Sequence, residues 1–486
     1  MNLRELLYKI TINSVIGDTN VSINEIHFDS RNVGFNDCFV AINGTLSNGH
    51  NYIMNAVNQG ALAVICEQMP EIIVNGITYV QVENSQAALA IMAANFYGHP
   101  SEKLKLVGIT GTNGKTTIAS LLFQLFRKAG HKAGLLSTVK IAVDDTIFDA
   151  THTTPDPLTI NYYLNEMVKK EVKYCFMEVS SHGIHQHRTD ALKFVGGVFT
   201  NLTQDHLDYH NSFAEYRDVK KSFFNYLPPS AFALVNIDDK NGNVMLQNTK
   251  AKFYTYALKT HADFKAQVLE SQFSGLLLRI NENEVWTKLI GKFNAYNILA
   301  IYGTSTLLGL DKLEVLRIIS ELESVTGRFQ YTISEQNITA IVDYAHTPDA
   351  LKNVLETIND IRTGNETLIT VVGCGGNRDK GKRPQMGHIA SALSNKVIFT
   401  SDNPRNEDPE TIIREMEQGV EPQNLKKTIS ITDRKQAIKT ACQLAEKNDI
   451  ILVAGKGHET YQEMKGKRIE FDDYKIVTDC LNLLNK

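Results

Sequence analysis

The stretch LKLVGITGTNGKTTIASLLFQLFRKAG, residues 104–130, carries the residue types best suited to chemistry. An apolar run enters a turn with glycines at 108, 111 and 114, and Lys115, Thr116 and Thr117 follow. Ile118, Leu121, Leu122, Leu125 and Phe126 then fall on one helical face, which Gly130 would end. A strand that turns into a helix in this way offers backbone N–H groups and the helix N-terminus to phosphate. Lys115 would reach the β/γ oxygens, and Thr116 would ligate Mg²⁺. The general phosphate-loop pattern places its first glycine at position 109, where this chain has Ile109. The alternative is a glycine-rich turn with a surface lysine. Strand, GKTT and helix together favour nucleotide binding.

Three other segments hold residues that local structure does not demand. FTSDNPRNEDPETI (399–412) contains Arg405. Turn chemistry accounts for its Asn-Pro and Asp residues but not for the arginine, whose planar guanidinium suits a carboxylate. The alternative is a residue at a helix start that pairs with Glu407 or Asp408. EVSSHGIHQHR (178–188) brings His182, His185 and His187 together. Zinc would want a tighter, completed ligand set, so a loop after a strand is preferred. YRDVKKSFF (216–224) carries Lys220 and Lys221, which by residue type alone read as solvated helix charges.

The elements that must position these residues follow from the pattern. With 486 residues the chain is too long for one core. Residues 1–98 read as a small α/β unit. Its strands are CFVAI, ALAVIC and TYVQV, and its two helices end in glycine. HPSEK (99–103) reads as a linker. A second unit, 99–328, mixes strand–helix signals with a β-rich insertion near 252–290. A boundary falls at LESVTGRFQ, and 329–486 alternates strand and helix. TAIVDY, LITVVG, KVIFTS, KTISIT and IILVAG read as a parallel sheet covered on both faces. Ligands bind such sheets beyond the C-terminal strand ends. DYAHTPDA, GCGGNRDKGKR, SDNPRNED and AGKGHETYQ all lie there.

Composition excludes several classes. A net charge of −4 with mixed signs gives no footprint for nucleic acid and no polybasic membrane patch. No run of eighteen apolar residues appears, and MNLRELLYKITINS lacks a signal-peptide pattern. The six cysteines form no CxxC pair. A reduced, cytoplasmic setting is expected.

GTNGKTT resembles the phosphate loop of the Mur ligases and the related folylpolyglutamate synthases. FDSR, THTTPD, EVSSHGIHQHR, TNLTQDHLDYH, YRDVKKSFF, GKFNAYNILA, GRF, DYAHTPDAL, GCGGNRDKGKRP, DNPR and GKGHE follow in the order of that family. The resemblance spans essentially the whole chain. It implies a small N-terminal domain, a central phosphate-loop ATPase domain and a C-terminal Rossmann-like doubly wound domain. It also implies an ATP-dependent amide ligase that adds meso-diaminopimelate to UDP-N-acetylmuramoyl-L-alanyl-D-glutamate through an acyl phosphate. A monomer that touches neither nucleic acid nor membrane is expected, with closure at hinges near 99–103 and 326–332.

Carried over residue by residue, Gly111, Thr112, Asn113, Gly114, Lys115, Thr116 and Thr117 would cradle ATP. Asn294 would meet its base, and Arg328 and Asp343 its ribose and phosphates. Without the family, Asn294 reads as a helix cap or turn residue and Arg328 as a surface ion-pair partner. Thr116 and Glu178 would hold one Mg²⁺. His206 and a carbamylated Lys220 would hold a second, with Lys221 as the rival lysine. Phe28 and Ser30 would take the uridine end of the substrate. His152, Thr153, Thr154, Ser180, Gln186 and Arg188 would take its muramoyl peptide. His152 stands where the family often has asparagine. Arg378, Asp402, Asn403, Pro404, Arg405, Gly455 and Glu459 would form the diaminopimelate pocket, with Glu459 on the distal ammonium. Lysine-adding relatives lack the arginine of DNPR, which argues against L-lysine as the substrate. A folylpolyglutamate synthase would generally begin at the phosphate loop. A nucleotide-dependent switch without ligase activity fits poorly with intact Lys115, Glu178, His206 and Lys220.

Overall fold

The computed structural model describes residues 1–44, 47–206 and 209–486. Positions 207 and 208 of TNLTQDHLDYH therefore lie outside the described residues. Three main sheets occur in chain order. The first has five strands, ordered Ile12–Ile16, Thr78–Val82, Ala61–Cys66, Asp37–Val40 and Ile26–His27. All its pairings are parallel except that of Ile12–Ile16 with Thr78–Val82. The helix Ile53–Gln59 ends at Gly60 in a left-handed cap, as the sequence pattern predicts.

The second sheet has eleven strands with Lys105–Thr110 near its middle, parallel to Tyr174–Glu178 on one side and Phe194–Phe199 on the other. The predicted β-rich insertion continues this sheet as Lys252–Ala257, Phe264–Gln272, Gly275–Ile280 and Asn283–Thr287. Helix Lys115–Lys128 buries Ile118, Leu121, Leu122, Leu125 and Phe126 completely, the apolar face read from the sequence. Those five side chains join one core with Lys292–Leu307, the helix that carries Asn294. Apolar burial at about 25 cal/mol per Å² is what fixes the glycine-rich turn between strand and helix.

The third sheet has six strands, ordered Gln330–Ile333, Thr339–Asp343, Ile450–Ala454, Leu368–Val372, Lys396–Phe399 and Thr428–Ser430. The last five run parallel, with a separate core on each face. Their C-terminal ends bring Asp343, Gly373, Asp402 and Gly455 to one edge. The hairpin Tyr461–Met464 with Lys467–Glu470 flanks that edge and bridges to Arg405. Gly327, left-handed at φ 68°, lies so close to the 457–458 turn that a Cβ there would meet the His458 nitrogen at 2.0 Å. This close approach seats the start of the segment that delivers Arg328 against the 457–458 turn. No helix among the described residues is long and apolar enough to cross a membrane.

Candidate active site

A cavity of about 660 Å³ opens between the second and third sheets. Its floor is the glycine-rich turn. Gly111 (φ 148°) approaches Thr200 so closely that a Cβ would fall 1.9 Å from its Oγ1. Lys115 folds back to donate to the carbonyls of Gly111 (2.9 Å) and Thr112 (2.8 Å), and burial lowers its pKa. Thr116 Oγ1 donates to Glu178 Oε2 at 3.0 Å. Glu178 is completely buried and also accepts from the Thr138 amide at 2.7 Å.

Two hydrogen bonds tie this floor to the third unit. Arg328 Nη2 donates to Thr116 Oγ1 at 3.1 Å, and Asn113 Nδ2 donates to Asp349 Oδ2 at 2.9 Å. The Arg328 guanidinium lies over the Tyr344 ring, 4.4 Å from its centroid. Asp343 accepts from the Phe329 amide at 2.7 Å. Burial pushes its carboxyl up to about 6 despite the nearby Arg328. Asn294 lines the same cavity, donates to the Ile290 carbonyl and accepts from Asn297. Asn294 thus braces the first turn of its helix, and Arg328 points into the cleft instead of forming a surface ion pair.

Lys220 and Lys221, indistinguishable by residue type, separate cleanly. Lys220 is 1 % exposed and donates to the Gly111 carbonyl at 3.0 Å. Lys221 points away, to Gln247 at 2.8 Å. Burial drives the Lys220 pKa well below its ordinary value, neighbouring Lys115 adds to this, and Asp205 opposes it. His206 adopts a left-handed backbone (φ 55°), with Nε2 at 3.5 Å from Asp205. Burial lowers its imidazole to about 3.

Among the described residues no three His, Cys, Asp or Glu side chains cluster as a metal shell. Of the three clustered histidines, His187 bonds Asp190, His185 bonds the Tyr209 hydroxyl, and His182 packs on the Tyr209 ring. The Thr116 hydroxyl beside one buried carboxylate does suit Mg²⁺, which takes one or two carboxylates and completes its shell with water and phosphate oxygens.

The residues expected to hold the muramoyl peptide adjoin Glu178. Thr154 Oγ1 donates to the Glu178 carbonyl (2.9 Å) and accepts from the Ser180 amide (3.0 Å). Arg188 donates to the Thr154 carbonyl and to Gln186 Oε1, both at 2.6 Å. Thr153 accepts from Thr138 at 3.0 Å. Burial, then Arg188, lowers the His152 pKa. Phe28 and Ser30 stand apart on the first unit, where Asp29 caps the turn Ser30–Asn32. That unit touches the 185–188 loop through Asn84 and His187, 3.2 Å apart.

At the strand ends of the third sheet, Asp402, Asn403 and Pro404 are buried and Arg405 is left-handed at φ 51°. Arg405 Nη1 donates to the Gly376 carbonyl at 2.8 Å. Glu407 is taken by Arg383, and Asp408 caps the helix Pro409–Glu417. Both acids are engaged elsewhere, so among the described residues the alternative of a local ion pair for Arg405 does not form. Arg378, exposed, and Arg405 flank Gly375, where a Cβ would lie 3.0 Å from Arg405 Nη1 and 3.8 Å from Arg378 Cγ. Asn403 Nδ2 donates to Glu459 Oε2 at 2.7 Å. Gly455 (φ 119°) packs on Asp402, where a Cβ would fall 2.4 Å from Oδ2. Lys456, Asp205 and Asp349 also face these sites, although sequence reasoning did not single them out. Each lies inside a segment already quoted; Lys456 is completely buried and the two aspartates are half-buried.

Comparison with known proteins extends over the whole chain. Residues 22–97 match the model described as Mur ligase family, catalytic domain; residues 109–304 match the Mur ligase middle domain; residues 327–457 match the Mur ligase, glutamate ligase domain. The UDP-N-acetylmuramoyl-L-alanyl-D-glutamate--2,6-diaminopimelate ligase of Cytophaga hutchinsonii is 54% identical, covering 100% of both chains. A solved structure of a ligase of the same name is 30% identical at TM-score 0.69, covering 100% of this chain and 99% of its own. The MurF ligase of Thermotoga maritima, solved in complex with ADP, shares the fold at 18% identity and TM-score 0.63, covering 95% of this chain and 98% of its own.

Proposed function

This chain belongs to the Mur ligase family, and on that premise we propose that it is the ATP-dependent ligase that joins meso-2,6-diaminopimelate to the D-glutamate of UDP-N-acetylmuramoyl-L-alanyl-D-glutamate in peptidoglycan precursor synthesis. The observation that supports this most is the meeting of Lys115, Thr116 and Glu178 with Arg328 and Asp343 across one cleft. The acidic, arginine-flanked pocket lies on the adjoining strand ends.

In this reading the dipeptide carboxylate attacks the γ-phosphorus of ATP, giving ADP and an acyl phosphate. The amine of diaminopimelate then attacks the acyl carbon, forms the amide and releases phosphate and a proton. Lys115 leaves its two carbonyl partners to meet the γ-phosphate, and Arg328 meets the phosphates from the opposite wall. Asn294 and Asp343 position base and ribose. Bound Mg²⁺, two ions in this reading, neutralises charge at the transferring phosphoryl group. Thr116 and Glu178 would hold one ion, and His206 and carbamylated Lys220 the other. Carbamylation needs a neutral amine to attack CO₂ with loss of a proton, and the depressed pKa of Lys220 favours that form. Phe28 and Ser30 take the uridine end, and the Thr153–Arg188 cluster with His152 takes the peptide. Arg378 and Arg405 read the distal carboxylate, while Glu459 and Asn403 read the distal ammonium. The domains are 1–98, 99–328 and 329–486, and closure at 99–103 and 326–332 brings them together. The chain works as a cytoplasmic monomer.

The test is phosphate release over a panel of amino acids. Release should require both UDP-muramoyl dipeptide and amino acid, with diaminopimelate preferred. Preference for L-lysine would reassign the amino acid, and release with ATP alone would favour the switch.

A further inference from the structure

Lys456 has no part in the mechanism above, yet it is completely buried at the amino-acid end of the site. It sits in the turn after strand Ile450–Ala454, three residues before Glu459. Its ammonium donates to Asn403 Oδ1 at 2.9 Å and to Glu459 Oε2 at 3.2 Å, and stands 3.7 Å from Asp402 Oδ1. Asn403 donates to the same Glu459 oxygen at 2.7 Å. Two carboxylates from two separate strand ends therefore share one internal cation. The arrangement is built tightly, because Asn403 Oδ1 also accepts from the Glu463 amide at 2.9 Å and Gly455 packs directly on Asp402.

We propose that Lys456 is a positioning residue for the incoming amino acid: it keeps Glu459 ionised beside Asp402 and holds the acidic end of the pocket to a single net negative charge, which favours a distal end bearing both ammonium and carboxylate over one bearing ammonium alone. The inference rests on the reading of Glu459 as partner of the distal ammonium. Two carboxylates this close hold a proton between them unless a cation offsets their repulsion. The charged and titratable groups around Glu459 are Asp402, Lys456 and Arg434, with Tyr344, and Tyr461 beyond which Arg405 and Arg468 lie. Burial and then Asp402 raise the Glu459 pKa, and Lys456 opposes them. Only the carboxylate form binds an ammonium. Loss of Lys456 moves its protonation to higher pH, so binding weakens near neutrality and recovers as pH rises.

The experiment measures KM for diaminopimelate, L-lysine and ATP from pH 6.5 to 8.5 in the wild type, Lys456→Gln, Lys456→Met and Glu459→Gln. Lys456→Gln keeps a hydrogen-bond donor and removes only the charge. Both lysine variants should raise the diaminopimelate KM several-fold at pH 6.5, where a larger fraction of Glu459 is protonated without the lysine charge. They should approach the wild type at pH 8.5, keep the KM for ATP, and narrow the preference for diaminopimelate over L-lysine. An unchanged KM, or one raised equally at every pH, overturns the inference. If Glu459→Gln leaves the diaminopimelate KM unchanged, the underlying reading of the pocket fails instead. Should neither lysine variant fold, the wild type decides: a KM that is flat with pH supports the role, and one that climbs below pH 8 overturns it.

Discussion

The proposed nucleotide cleft and the proposed amino-acid pocket hold their cations against different partners. In the cleft, Lys115 donates to main-chain carbonyls and Arg328 to a threonine hydroxyl. In and behind the pocket, Lys456 donates to Asn403 and Glu459, Arg383 pairs with Glu407 and Glu415, and Arg434 pairs with Asp473. Leaving a neutral carbonyl forfeits one hydrogen bond, about 0.5–1.5 kcal/mol, which a charge-assisted bond to phosphate more than offsets. Leaving a buried carboxylate strands a charge at about 3–5 kcal/mol. The cleft's cations are therefore free to meet an arriving anion, while the pocket's are part of its frame. The Arg405 guanidinium donates to the Gly376 carbonyl and forms no ion pair among the described residues, so by this criterion it belongs with the recruitable group.

The comparison breaks first at Lys115. Lys115→Ala should lower ligation roughly 10²–10³-fold, the loss typical of one preorganised charge-stabilising group. ADP formation near the wild-type rate would remove the loop from the mechanism.

Lys220 tests the contrasting case of a neutral amine in the cleft. Lys220→Ala should be nearly inactive and regain part of its activity with added acetate or formate, while Lys221→Ala stays near wild type. A carbamate carbon signal after ¹³C-bicarbonate labelling should be present in the wild type and absent from Lys220→Ala. Rescue of Lys221→Ala instead would shift the site by one residue.

Arg405→Ala should raise the KM for diaminopimelate about 10–100-fold, from the loss of about 1.5–3 kcal/mol of charge-assisted bonding. The KM values for ATP and dipeptide should hold. L-Lysine, which lacks the distal carboxylate, should lose nothing further. Equal losses for both amino acids would return Arg405 to a turn residue.

The smallest effect is on stability. The folded-state pKa of Asp343, about 6, lies above its unfolded value, so the native state binds the extra proton and stability falls as pH rises through that range. Asp343→Asn removes the buried charge and keeps an acceptor for the Phe329 amide. It should raise Tm by roughly 2–5 °C at pH 8 and leave it unchanged at pH 4. A Tm gain that is equal at both pH values would mean that buried charge is not what Asp343 contributes.

Local pattern determined much of this protein. The helix after the glycine-rich turn, the five parallel strands of the third sheet and the edge on which Arg405 sits were all legible, because apolar periodicity and turn chemistry act over a few residues. The exposed strands Ile12–Ile16 and Lys467–Glu470 were not, since neither buries a face and each exists only through its partner strand. The site divides in the same way. Residue type and motif order picked out Lys115, Thr116 and Glu178. Family register favoured Lys220 with Lys221 as rival, and the tertiary structure adds the contrast in surroundings, turning Lys220 toward the Gly111 carbonyl and Lys221 toward Gln247. It also decided that Glu407 and Asp408 go to other partners, leaving Arg405 on a carbonyl, and that Lys456 lies between two carboxylates. Burial and charge pairing are set by neighbours far away along the chain, and no short stretch of sequence encodes them.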